Sequence, residues 1–229
     1  MGVSPKVCLR AVQIGYAGVV MLCCYRSVSP SAQPAVLYSE PRGSFIAEAT
    51  IVDKDVLLPV QIHGHAARVI LDTGAPVGVM DGATMQAWHI SRATAGYWQL
   101  DSVSIGTALE RDVRVFAGRI ASTVPGAPII GLLGLNVLSH YDVVFDGPAR
   151  RVRLYRLSPA SGGVPAGLTP EDCVPMRRDD LGGERAVFSL DVNGHPLLGV
   201  FDSGADQTFM TLEAARVVGL TRHTPQVRA

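Results

Sequence analysis

The chain has 229 residues, 48% of them hydrophobic, enough for one or two domains with a buried core. Lys and Arg (20) balance Asp and Glu (20), only 17% of residues are charged, and no basic run is interleaved with aromatics, which argues against nucleic-acid binding. The 24 Gly and 15 Pro, with few aromatics, describe a turn-rich and strand-rich chain, not a helical bundle.

Met1–Arg10 carries Lys6 and Arg10, Ala11–Tyr25 has no charge, and Arg26 leads into the Ser/Pro/Ala segment Ser27–Ala35. This layout predicts a secretory signal or an uncleaved N-terminal membrane anchor over residues 1–35, the apolar stretch being short for a full span. A buried strand or helix is the competing reading. The expected location is therefore exported, periplasmic or extracellular, or tethered to a membrane by the N-terminus. Cys8, Cys23 and Cys24 all lie in this leader, so its removal leaves Cys173 alone and no intramolecular disulfide.

From Ser44 onward the pattern is mostly strands. Leu58, Val60 and Ile62 alternate with Pro59, Gln61 and His63, the period of a half-buried strand. Gly64-His65 supplies a turn, and Ala67–Leu71 returns as a strand ending at Asp72. Val77–Met80 is a short apolar piece, and Gly82–Trp88 reads as helix. Gln99–Ile105 and Val113–Ile120 predict two strands around a turn at Gly106. The apolar run Ile129–Leu135 precedes a short helix over Asn136–His140, and Val143–Phe145 and Val152–Tyr155 make a hairpin around Asp146-Gly147. Residues 156–181, rich in Ser, Gly and Pro with a charged patch at Arg177–Asp180, read as an interdomain linker. The expected organisation is a complete unit at 44–156, a linker at 157–183 and a partial unit at 184–229.

The partial unit repeats part of the first. At an offset of 130 positions, Leu58–Arg92 overlays Phe188–Arg222 without gaps, with Gly64/Gly194, His65/His195, Asp72/Asp202, Gly74/Gly204, Ala75/Ala205, Met80/Met210 and Arg92/Arg222 identical. Asn193-Gly194 between apolar runs is a strong hairpin signal. Thr208–Met210 and the helix-like Leu212–Val218 follow as in the first copy. The first copy then runs on from Arg92 to about Arg156, and that stretch has no counterpart in the second.

Each copy places one carboxylate in an apolar hairpin, within Leu71-Asp72-Thr73-Gly74-Ala75 and Phe201-Asp202-Ser203-Gly204-Ala205. Two carboxyls that face one another cannot both ionise cheaply, so they share a proton and stand as an acid beside a base. The base draws a proton from water while the acid protonates a peptide carbonyl. Gly74 and Gly204 leave room for backbone beside the carboxylates. The six His show no metal-ligand spacing, and the chemistry needs neither metal nor cofactor.

With these motifs, and with Leu132-Leu133-Gly134 before Asn136-Val137-Leu138 and the closing strands Val143–Asp146 and Arg151–Tyr155, the chain resembles the retropepsin-like aspartic proteases, specifically the bacterial-type family with two such units in one polypeptide. The resemblance implies an all-β acid-protease barrel with one complete lobe and a partial second lobe, acting on polypeptides. It implies Asp72 and Asp202 as the catalytic pair, with Thr73, Gly74, Ala75, Ser203, Gly204 and Ala205 as loop support. It further implies that Thr73 and Ser203 lock the two loops through their hydroxyls, and that a flap hairpin with its tip near Gly96 or Gly106 covers the substrate. Tyr97 and Trp98 are placed either to line such a cleft or to pack in the core, and His65 and His195 fall at exposed turns.

The incomplete second copy leaves three readings open: a shortened full enzyme, a homodimer in which each chain contributes Asp72, or a catalytically inactive protease-like module that binds peptides or partners. An incomplete lobe also exposes apolar edge strands.

Overall fold

The computed structural model describes residues 43–90, 96–120, 128–147, 149–156, 176–178, 186–205, 207–221 and 224. The leader and most of the segment read as a linker lie outside the described residues, as does Arg222.

The protein is all-β with a few short helices. Strands β1 (Phe45–Val52), β2 (Asp55–Ile62), β3 (His65–Leu71) and β4 (Gly78–Asp81) precede helix α1 (Gly82–Ala87). The hairpin β5 (Tyr97–Ile105) and β6 (Ala108–Gly118) follows, then β7 (Ile129–Leu133), helix α2 (Leu135–Leu138), β8 (Tyr141–Asp146) and β9 (Arg151–Arg156). These nine strands form one sheet in the order β3-β7-β4-β6-β5-β2-β1-β9-β8, and β2 also pairs with β3. That extra pairing closes β3, β7, β4, β6, β5 and β2 into a six-stranded barrel, while β1, β9 and β8 extend from it. Closure leaves those six strands without an open edge.

Alternation decides which side chains enter the barrel. Leu58, Val60 and Ile62 of β2 are buried while Pro59 and Gln61 are exposed, and Val69 and Leu71 of β3 are fully buried. Leu100, Val103 and Ile105 of β5, the strand that pairs with β2 on its other side, join them in the same core. Trp98 joins this core, whereas Tyr97 stacks on Phe116 with ring centroids 4.4 Å apart. The β2–β3 turn has His63 and Gly64 at φ 49° and 82°, and Asn193 and Gly194 repeat this at 54° and 79° in the second copy, a two-residue turn matched to strand twist. Asp81 caps α1 by accepting from the Thr84 N–H at 2.8 Å.

Strand β1 had no separate signature in the sequence, and its pairing to both β2 and β9 ties the end of the lobe to its start. The turn at Gly106 is fastened to β1, since the Thr107 N–H donates to the Ile46 carbonyl at 3.2 Å and its hydroxyl reaches the Phe45 carbonyl. This turn is therefore anchored, and the other expected flap position, Gly96, adjoins residues 91–95, which lie outside the described residues.

The second copy contributes β11 (Ala186–Val192), β12 (His195–Val200) and helix α3 (Leu212–Val217). A short strand, β10 (Met176–Arg178), falls within the segment read as linker and pairs antiparallel with β11, giving a sheet in the order β10-β11-β12. Residues 208–210, the counterpart of β4, form no strand. Phe201 seats this unit on the first lobe, edge-on to Phe145 with centroids 5.4 Å apart.

Candidate active site

Asp72 follows directly on β3, and its position is fixed by β7. That strand threads between β3, to which it is parallel, and β4, to which it is antiparallel. The Asp72 N–H donates to the Leu133 carbonyl at 3.0 Å. Beyond it, the Leu135 and Asn136 N–H groups donate to the Ala75 and Pro76 carbonyls at 2.8 and 3.0 Å. The Asn136 side chain accepts from the Gly78 N–H at 3.1 Å and donates to the Arg114 carbonyl at 2.9 Å. The whole loop from Asp72 to Gly78 is thus stitched to β7 and α2. Asn136 belongs to the motif after Gly134, but its double role depends on where Gly78 and Arg114 come together, which no local pattern encodes.

The second loop meets the first through four reciprocal hydrogen bonds. The Thr73 hydroxyl donates to the Phe201 carbonyl at 2.9 Å and accepts from the Ser203 N–H at 2.9 Å. The Ser203 hydroxyl donates to the Leu71 carbonyl at 2.8 Å and accepts from the Thr73 N–H at 3.1 Å. Thr73 and Ser203 are the two buried polar side chains among the described residues, at 7% and 2% exposure, and each hydroxyl is satisfied as donor and as acceptor.

This lock brings Asp72 and Asp202 together. Asp72 Oδ1 accepts from the Gly74 and Ala75 N–H groups at 2.9 and 3.1 Å, and Asp202 Oδ1 accepts from the Gly204 N–H at 2.9 Å. Each carboxyl also lies over the glycine of the other loop. A β-carbon at position 74 would sit 2.6 Å from Asp202 Oδ1, and one at 204 would sit 2.6 Å from Asp72 Cγ. Burial raises the pKa of Asp72, the negative charge of Asp202 and a hydrogen bond to it add to the rise, and the Gly74 and Ala75 N–H groups oppose it. Asp72 consequently keeps its proton to higher pH than an ordinary aspartate.

Among solved structures, the chain is similar to a retropepsin-like aspartic protease from Rickettsia conorii. The two share 16% sequence identity over 48% of this chain and 89% of that one, with a TM-score of 0.36. No protein-family model and no curated protein matches the chain.

The two halves of the site are unequal. Among the described residues the Asp202 N–H has no counterpart of the bond that Asp72 makes to Leu133, and no second strand of the β7 kind flanks β12. The remaining sequence candidates lie elsewhere. His65 stacks on Trp88 outside the barrel, with centroids 4.5 Å apart, and His195 is exposed at its turn. Among the described residues no group of three His, Cys, Asp or Glu side chains is placed to hold a metal ion.

Proposed function

We propose that the protein is an aspartic endopeptidase in which Asp72 and Asp202 of one chain share a proton and activate water against a peptide bond. The observation that carries this reading is the apposition of the two carboxyls, each against the other loop's glycine, with Asp72 pushed toward its protonated form by burial and by Asp202. In the proposed cycle the ionised carboxylate takes a proton from water as its oxygen attacks the carbonyl carbon. The protonated carboxyl, with Asp72 favoured for this role, donates to the carbonyl oxygen. Transfer of a proton to the amide nitrogen then lets the C–N bond break, and the pair returns with one proton. Thr73 and Ser203 position the carboxyls and touch no substrate in this scheme. The charge layout of residues 1–35 supports delivery of this activity outside the cytoplasm or at a membrane surface.

The test is cleavage of an unfolded protein substrate between about pH 3 and pH 8, a span that brackets the titration of a carboxyl pair. Asp72→Asn and Asp202→Asn should each lower turnover by about a thousandfold or more. Turnover that survives Asp202→Asn but not Asp72→Asn would assign the pair to two chains. Folded protein without turnover at any pH would favour the peptide-binding module, a reading supported by the unequal bracing of Asp202.

A further inference from the structure

The barrel ladder carries a row of apolar side chains away from the carboxyl pair. Ile70 of β3 is level with Leu132 of β7, Leu132 with Val79 of β4, Val79 with Phe116 of β6, and Phe116 with Tyr97 of β5. Residues level across a ladder point to one face of the sheet. Their chain neighbours Leu71, Leu133, Met80, Val115 and Trp98 all belong to the barrel core. The row therefore lies on the outer face, and Asp72, two residues on from Ile70, faces the same way. Beyond Ile70 the row continues to Leu57 of β2, which is buried without joining the barrel core, so the face is covered on that side. On the other side it is open: Ile70, Leu132, Val79 and Tyr97 are half-buried, and Phe116 is 41% exposed. The rows above and below are polar, with Gln99 and Arg114 in one and Arg68 and Asp81 in the other. A sheet face turned to water is ordinarily polar. Here one apolar lane crosses it and ends beside Asp72.

We infer that this lane receives one arm of an extended peptide substrate, and that Phe116 and Tyr97 select a large apolar or aromatic side chain at its far end. The inference rests on the peptidase reading of the carboxyl pair. Neighbouring strands stand about 4.8 Å apart, so Phe116 lies three intervals, or about 14 Å, from β3. An extended peptide advances about 3.3 Å per residue, and about four residues cover that distance. Alternate side chains of such a peptide face the lane, and the one about four positions from the scissile bond meets Phe116. Tyr97 backs Phe116, with ring centroids 4.4 Å apart and planes inclined at 30°, and so holds that ring as a fixed surface. Contacts so far from the reacting atoms act alike on bound substrate and transition state, so they lower KM and leave kcat nearly unchanged. Phe116 and Tyr97 are specificity-determining residues in this scheme and take no part in the chemistry.

The test is digestion by the full chain of a peptide library varied on both sides of the cleaved bond. The expected result is a preference of about tenfold to thirtyfold in kcat/KM for Phe or Leu over Gly, carried by KM. It should fall about three to five positions from the bond, on one side only. Phe116→Ala should reduce the preference to within about threefold. Phe116→Arg should turn it toward Glu, a gain that an unfolded variant cannot imitate. Binding of the same peptides, fluorescently labelled, to Asp72→Asn gives a reading that needs no turnover and should show the same order. Equal cleavage of all the peptides, a preference confined to the residues adjoining the bond, or one unaltered in Phe116→Arg would overturn the inference and leave the peptidase reading standing. Absence of turnover with the binding preference retained would overturn the peptidase reading and uphold the lane as a peptide site. Neither turnover nor binding would overturn both.

Discussion

Thr73→Val tests whether the two loops are locked in solution as the four hydrogen bonds require. The substitution keeps the shape of the side chain and removes its hydroxyl, which donates to the Phe201 carbonyl and accepts from the Ser203 N–H. Both orphaned partners are main-chain groups facing a buried junction, so water does not replace the lost bonds while the loops stay closed. Two such groups left unsatisfied cost about 2–4 kcal/mol together, at roughly 1–2 kcal/mol each. Opening of the junction should therefore be easier by that amount, equivalent to an increase of about 30-fold to 1,000-fold in exchange at the Ser203 amide. Ser203→Ala should have a comparable effect through the Leu71 carbonyl and the Thr73 N–H. In the double variant the costs should fall short of their sum by at least about 1 kcal/mol, because a junction opened by one change no longer strains the groups exposed by the other. Amide exchange with residue-level readout measures all three variants, and Thr73→Ser should restore protection. Ser203 exchange within about threefold of the parent in Thr73→Val would refute the lock, being far smaller than the loss of two buried bonds allows.

Asp72→Asn should raise stability at neutral pH and leave it unchanged in acid. The folded pKa of Asp72 lies above its unfolded value of 3.8. The folded state then binds more protons between the two values, and stability falls as pH rises through that window. The penalty is absent below the unfolded pKa and complete above the folded one, so thermal unfolding of the variant and parent should diverge only on the alkaline side. Asn136→Ala should destabilise the first lobe by about 1–3 kcal/mol, since it removes a donor and an acceptor that join α2 to Gly78 and β6. Urea unfolding followed by tryptophan fluorescence reads this directly, both tryptophans being in that lobe.

Local pattern revealed the elements whose partners are close in sequence. The alternation of β2, the turn before β3 and the Asn193-Gly194 hairpin are each written within a few residues, and all formed. The Asp-Thr/Ser-Gly pair was legible because repetition at a fixed offset is visible without knowing any contact. Elements that depend on distant partners were less legible. Thr208–Met210 occupies the place of Gly78–Met80 in the repeat, but β4 is a strand because β6 and β7 flank it. Strand β10 lies in a segment whose composition signals a loop, and pairing with β11 overrides that signal. β6 begins at Ala108, ahead of the expected Val113, because the charged residues between them pair with β5 across the hairpin. The stitching by Asn136 was hidden for the same reason.

The exchange of space at the two glycines has a bearing on inheritance. The volume a methyl group would need at position 74 is occupied by a carboxyl encoded in the other repeat, and the reverse holds at 204. A saturation scan should therefore score each glycine by the demands of the opposite loop, and neither copy of the repeat can drift at this point while its twin stands still.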